Sequence, residues 1–120
     1  MRIQSMLLAS LVILAAPSRA AEPLRLRVSP SVALAPADLM IRATVETDPD
    51  NRMIEVIAES DDFYRSSAME LNGDHAPRTN IFEFRGLPGG TYEVIGVLTG
   101  TNGRRALTRQ RIIVAASAAK

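Results

Sequence analysis

The chain has no cysteine and no tryptophan, a single histidine (His75), and aromatic residues at only 4% of its positions. Without cysteine there is no disulfide staple, no lipid-modified cysteine, no thiolate metal site and no thiol nucleophile. Stability must then come from one apolar core, which a domain of about 100 residues can supply. One histidine removes the paired imidazoles that commonly hold zinc and leaves one candidate for proton transfer near neutral pH. Three phenylalanines, two tyrosines and no tryptophan leave few aromatic platforms for stacking on a sugar. An excess of one charge is missing too, with 14 lysines and arginines against 13 acidic residues, so nothing favours a nucleic-acid partner.

One long apolar run is present, and it lies at the N-terminus. Arg2 precedes a nearly continuous apolar stretch from Ile3 to Ala16, and Pro17-Ser18-Arg19-Ala20 follows with small residues at the two positions a signal peptidase reads. The run is shorter than the roughly 20 residues that span a bilayer, so residues 1–20 read as a cleavable signal peptide rather than an anchor. Cleavage after Ala20 predicts a mature protein that is periplasmic or extracellular and has no membrane span. Arg2 and Arg19 leave with the leader, which takes the basic count from 14 to 12 against 13 acidic residues, a net charge near −1. From Asp38 to Asp74 carboxylates dominate; from Arg78 onward arginines do. Such asymmetry serves either to neutralise charge across a folded sheet or to steer copies or partners together.

The mature chain reads as all-β. No stretch sustains a helical period, and turn residues interrupt it at short intervals. Leu24-Arg25-Leu26-Arg27-Val28 alternates apolar and charged, and Ser29 to Pro36 reads as an extended connection holding two prolines. Leu39 to Thr47 and Arg52 to Ser60 both alternate. Between them lies Asp48-Pro49-Asp50-Asn51, whose proline pre-sets a turn, so the two segments are predicted to form a β-hairpin. Alternation blurs from Asp61 to Leu71, where Phe63-Tyr64-Arg65 suits the opening of a short strand that switches sheets, with Ala68-Met69-Glu70-Leu71 after it. Asn72-Gly73-Asp74 is a turn, Asn80 to Arg85 is a short strand, and Thr91 to Thr99 is the most apolar strand. Thr101-Asn102-Gly103 is a hairpin turn into Arg104–Val114. Seven strands at this spacing predict a two-sheet sandwich over residues 21–114, with residues 115–120 a frayed tail.

The segment Gly86-Leu87-Pro88-Gly89-Gly90-Thr91-Tyr92-Glu93-Val94 resembles the entry to the sixth strand of fibronectin type III and other immunoglobulin-like domains. It is equally similar to the leucine-proline-glycine-tyrosine turn of carboxypeptidase regulatory-like modules. The resemblance implies an immunoglobulin-like sandwich with a tyrosine corner made by Leu87, Pro88 and Tyr92. The Tyr92 hydroxyl would bond back to the loop near Leu87, and Val94 would enter the core. A tryptophan on an early core strand, usual in fibronectin type III domains, is absent. So is the glycine-valine-aspartate opening of the regulatory-like modules, for which Ala43-Thr44-Val45-Glu46 stands nearest.

No catalytic constellation emerges. His75 sits in the turn Asn72-Gly73-Asp74-His75-Ala76-Pro77, and Ser60, Ser66 and Ser67 lack a glycine-flanked nucleophile elbow. Turn chemistry accounts for Asp48, Asp50 and Asn51, and Pro49 stiffens a loop that calcium would need to wrap. No enzyme activity, cofactor or metal is therefore expected. Three sets of residues suit an interaction surface instead. Phe63, Tyr64 and Arg65 combine residue types common at binding hot spots, although Phe63 also suits the end of a core. Ile95 and Val97 are out of phase with Tyr92, Val94 and Leu98, which makes their strand apolar on both faces. Arg104, Arg105, Arg109 and Arg111 cluster on the last hairpin, where they suit an acidic partner or guard a sheet edge. These features predict an exported, non-catalytic immunoglobulin-like module for protein–protein interaction or self-assembly. The alternative is a binding protein for a small ligand, ion or glycan.

Overall fold

A computed structural model of the chain describes residues 22–116. The expected leader and residues 117–120 lie outside them. The described chain forms eight strands: β1 Leu24–Ser29, β2 Val32–Leu34, β3 Ala37–Val45, β4 Asn51–Glu59, β5 Tyr64–Glu70, β6 Thr79–Leu87, β7 Gly90–Gly100 and β8 Gly103–Ala115. A single 3-10 turn, Gly73–His75, links β5 to β6. Among the described residues no helix is long and apolar enough to cross a membrane.

The strands make two sheets, one ordered β1-β3-β6 and the other β2-β8-β7-β4-β5. Alternation explains the layering. Along β3, Leu39, Ile41, Ala43 and Val45 are buried while Asp38, Met40 and Arg42 are exposed. Along β4, Ile54, Val56 and Ala58 are buried, and along β7, Tyr92, Val94 and Leu98. Phe82 and Phe84 of β6 and Ile112 and Val114 of β8 complete one core between the sheets. Because the side-chain period of a strand is two, one face of each sheet is committed to this core and the other is turned outward.

Three expectations require correction. First, β3 and β4 do not form a hairpin. β3 pairs with β1 and β6, whereas β4 pairs with β5 and β7, so the two belong to different layers on either side of the core. The Asp48–Asn51 turn is present, with the Asn51 N–H donating to the Asp48 carbonyl at 3.1 Å. It carries the chain from one sheet to the other. Asn51 is fully buried at the start of β4, and its Nδ2 donates to the Glu46 carbonyl at 3.0 Å, which holds the corner shut.

Second, the described residues form eight strands rather than seven. Within the segment read as a connection, Val32–Leu34 runs parallel to β8, pairing with Ile113, Val114 and Ala115. Its ladder is fixed by Ile113 N–H to the Ser31 carbonyl (3.0 Å) and Ala35 N–H to the Ala115 carbonyl (2.8 Å). Ala115 accordingly belongs to the domain and not to a frayed tail. Third, β5 does not switch sheets. Tyr64 to Glu70 pair continuously with β4 from Glu59 to Met53 at the edge of the larger sheet.

Candidate interaction surfaces

The outward face of the five-stranded sheet carries Ile95 and Val97 together. On β7 they alternate with buried Val94 and Leu98, and each is half-buried on the side away from the core. Cross-strand register extends the apolar stripe: Ile95 lies opposite Ile57 of β4, and Val97 opposite Leu107 of β8. Directly opposed side chains in an antiparallel pair are about 5 Å apart at Cβ, so these four residues are contiguous. Among the described residues no element packs over them.

Charge divides the same face. On the β4 and β5 side stand Glu55, Glu59 and Glu70; on the β8 side stand Arg104, Arg109 and Arg111. Between them Glu93 of β7 lies opposite both Glu59 and Arg111, and accepts from Arg109 Nη1 at 3.3 Å. Arg105 stands apart from its neighbours. Its guanidinium is half-buried, bonds to the Asn51 side-chain oxygen and to Asp48 Oδ2 at 3.1 Å, and lies 3.8 Å from Asp50 Oδ2. It is a fastener for the corner and not a member of the open face. A cation already stands among the carboxylates of this loop, and it is a guanidinium.

Asp50 is the electrostatic centre of that corner. Its carboxylate accepts from the Thr101 hydroxyl at 2.6 Å and from the Thr101 N–H at 3.1 Å, which ties the β3–β4 corner to the β7–β8 turn. The Thr101 hydroxyl, then the Thr101 N–H, outweigh desolvation and hold the Asp50 carboxyl below the ordinary aspartate range, with Arg105 adding to the effect.

The Phe63-Tyr64-Arg65 stretch separates into distinct roles. Phe63 is half-buried and meets Tyr92 edge-on, with ring centroids 6.2 Å apart. The Arg65 guanidinium lies 5.2 Å from the Phe63 ring centre and its Nη1 donates to the Arg85 carbonyl at 2.7 Å, bracing β5 against β6 across the sandwich. Tyr64 is open, at 61% exposure, and sits opposite Glu59 on the outward face.

Tyr92 is fully buried, and its hydroxyl donates to the Pro88 carbonyl at 2.7 Å. Leu87 is also buried, and Val94 enters the core two residues on. Burial pushes the Tyr92 hydroxyl toward a higher pKa, against a smaller opposing contribution from Ser60. His75 ends the 3-10 turn with its side chain exposed, 3.8 Å from the carboxylate of neighbouring Asp74.

The opposite face of the molecule holds a feature that the sequence alone does not mark. Arg27 of β1 lies directly opposite Arg42 of β3, and Arg25 opposite Thr44. Each arginine is legible as the polar half of an alternating strand. Their meeting is set by the register between two separate segments, for which the sequence offers no signal.

No family model and no curated protein matches the chain. Solved structures do resemble it. The superoxide reductase (neelaredoxin) from Ignicoccus hospitalis aligns over 80% of this chain and 81% of its own, with a TM-score of 0.58 and 11% identity. A single-substitution variant of that reductase aligns with a TM-score of 0.57 and 13% identity, over 78% of this chain and 79% of its own. A family 76 glycoside hydrolase from a bovine Bacteroides thetaiotaomicron strain aligns at 0.55 and 19% identity, over 79% of this chain but 21% of that enzyme. The likeness shows the fold alone. It is an all-β sandwich of two sheets.

Proposed function

We propose that the chain is an exported, non-catalytic module of immunoglobulin-like type that acts by association through the outward face of its five-stranded sheet, with a second copy of itself as the partner. The observation that carries this reading is the Ile57, Ile95, Val97 and Leu107 stripe flanked by carboxylates on one side and arginines on the other. The strand order supports the immunoglobulin-like assignment, with β2 leaving the smaller sheet's side to run parallel with the last strand. So does the Tyr92 hydroxyl anchored on Pro88.

Self-association follows from the arrangement of charge. A two-fold axis along the strand direction, placed over the stripe, sets the β8 side of one copy on the β4–β5 side of the other. Arg104 and Arg111 then face Glu55, Glu59 and Glu70, while the apolar stripes meet at the centre. A two-fold across the strands sets arginine on arginine and is disfavoured. Light scattering after size exclusion, on protein recovered from cells expressing the full chain, tests this. A dimer is expected whose dissociation constant rises at least tenfold in Ile95→Glu and Leu107→Glu and also rises with salt. A wild-type protein that is monomeric at every concentration and salt, and indistinguishable from Ile95→Glu, overturns it.

A further inference from the structure

The outward face of the smaller sheet sets two arginines directly against each other. Arg27 and Arg42 are cross-strand partners on β1 and β3, and both are exposed on the side away from the core. Arg25, two residues before Arg27 on the same face, makes the third corner of the cluster. Like charges directly opposed in an antiparallel pair destabilise it. A folded sheet normally relieves such a pair with a carboxylate. None does so here: among the described residues, none of the three arginines has a carboxylate oxygen within 4.0 Å. The acids of the neighbourhood are otherwise engaged or displaced. Glu83 pairs with Arg85 at 3.2 Å, and Asp38 accepts the Gly86 N–H at 3.0 Å. Glu46 stands beyond the end of β3 and Glu22 before the start of β1, and neither forms an ion pair among the described residues. The sequence outside the described range contains no aspartate or glutamate at all.

A depression lies on each side of this pair. One, of about 250 Å³, is lined by Arg25, Leu26, Arg27, Arg42 and Thr44. The other, of about 160 Å³, is lined by Arg27, Ser29, Met40 and Arg42. Arg27 and Arg42 line both, so the two hollows share these side chains as a common wall. Thr44 and Ser29 add hydroxyl donors, one to each hollow. Met40, which is 47% exposed, supplies apolar surface beside them.

We infer that Arg25, Arg27 and Arg42 form a binding site for a phosphate group. Guanidinium groups are planar forks of donors that take two oxygens of a phosphate at once, and two forks can share one tetrahedral anion. A bound phosphate converts the Arg27–Arg42 repulsion into two sets of charge-assisted bonds. The site is therefore least stable when empty and gains most from being filled. Exposed Met40 beside the arginines fits a phosphate that carries a carbon chain, and a free phosphate satisfies the same donors. The site lies on the opposite side of the sandwich from the apolar stripe, so it stands or falls independently of self-association.

The test follows amide resonances of ¹⁵N-labelled protein at constant ionic strength under two probes: inorganic pyrophosphate, and vesicles of phosphatidylglycerol against phosphatidylcholine. Expected is saturable movement of the β1 and β3 amides around Arg27 and Arg42 with pyrophosphate, or retention on phosphatidylglycerol but not phosphatidylcholine vesicles. The first result identifies a free phosphate ligand and the second a lipid headgroup. Arg42→Ala and Arg27→Ala should each weaken the responding probe at least tenfold. Arg42→Lys, which keeps the charge but loses the fork, should fall between. Melting without ligand supplies a second readout, since Arg42→Ala should melt no lower than wild type in low salt, while the responding probe raises the melting temperature of wild type only. No response to either probe, or equal affinity in wild type and the Arg27→Ala/Arg42→Ala double variant, overturns the inference.

Discussion

Asp50 is a partly exposed carboxylate that nonetheless joins three parts of the chain: its own corner, the Thr101 turn and Arg105. Because the Thr101 hydroxyl, then its N–H, depress its pKa in the fold, Asp50 favours the folded state above its unfolded pKa. That contribution disappears as pH falls through the lower folded value, a window that lies below about pH 4. Melting temperatures of wild type and Asp50→Asn should thus differ at pH 7 and converge as the pH falls below about 4. At Tyr92 the hydroxyl contributes one bond to a loop carbonyl, so Tyr92→Phe should cost about 1 kcal/mol in urea unfolding while leaving the slope unchanged. A residue's chemistry is easier to read in the sequence than its company. The phase of Ile95 and Val97 along one strand is enough to place them away from Tyr92 and Val94. The commitment of Arg105 to Asp48 and Asp50 rests on contacts between residues far apart in the chain, and nothing local distinguishes Arg105 from Arg104.

Strands are legible where alternation is long, as in Leu39–Val45 and Ile54–Ala58, because one buried face imposes a period of two. Their partners are not. A proline-aspartate turn between two alternating segments is compatible with a hairpin and equally with a corner between layers. The buried Asn51 side chain, bonded to the Glu46 carbonyl, is what makes it a corner. The three-residue strand β2 is too short for alternation to register, and its pairing partner lies at the far end of the chain. Gly96 shows how packing between elements writes itself into one position. A Cβ there would stand 3.0 Å from Leu26 Cδ1, so β7 lacks a side chain where β1 presses across the core. Gly96→Val should therefore destabilise by about 1–3 kcal/mol, and adding Leu26→Ala should recover part of that loss, as a double-mutant cycle in urea would measure.

For the whole molecule, export and assembly are linked proposals. Mass spectrometry of protein collected outside the cytoplasm should find a chain beginning at Ala21; an intact Met1 or a cut elsewhere would remove the leader reading. The two faces of the sandwich carry different chemistry, an apolar stripe with mixed charge on one and, among the described residues, arginines without ion-pair partners on the other, so association and ligand binding need not compete. The corner between β3 and β4 also governs time. By sending β4 to the other layer it denies β3 the next strand in sequence as a partner. On the side away from β1, β3 must wait for β6, three strands further on, and the smaller sheet closes only when β6 has emerged. The pairs that can zip early in the larger sheet are β4 with β5 and β7 with β8, each joined by a short connection. With β3–β6, β4–β7 and β2–β8 closing long loops, this chain belongs among domains that fold in milliseconds to seconds. The larger sheet closes later still, because β2 must find β8, the last strand in the chain.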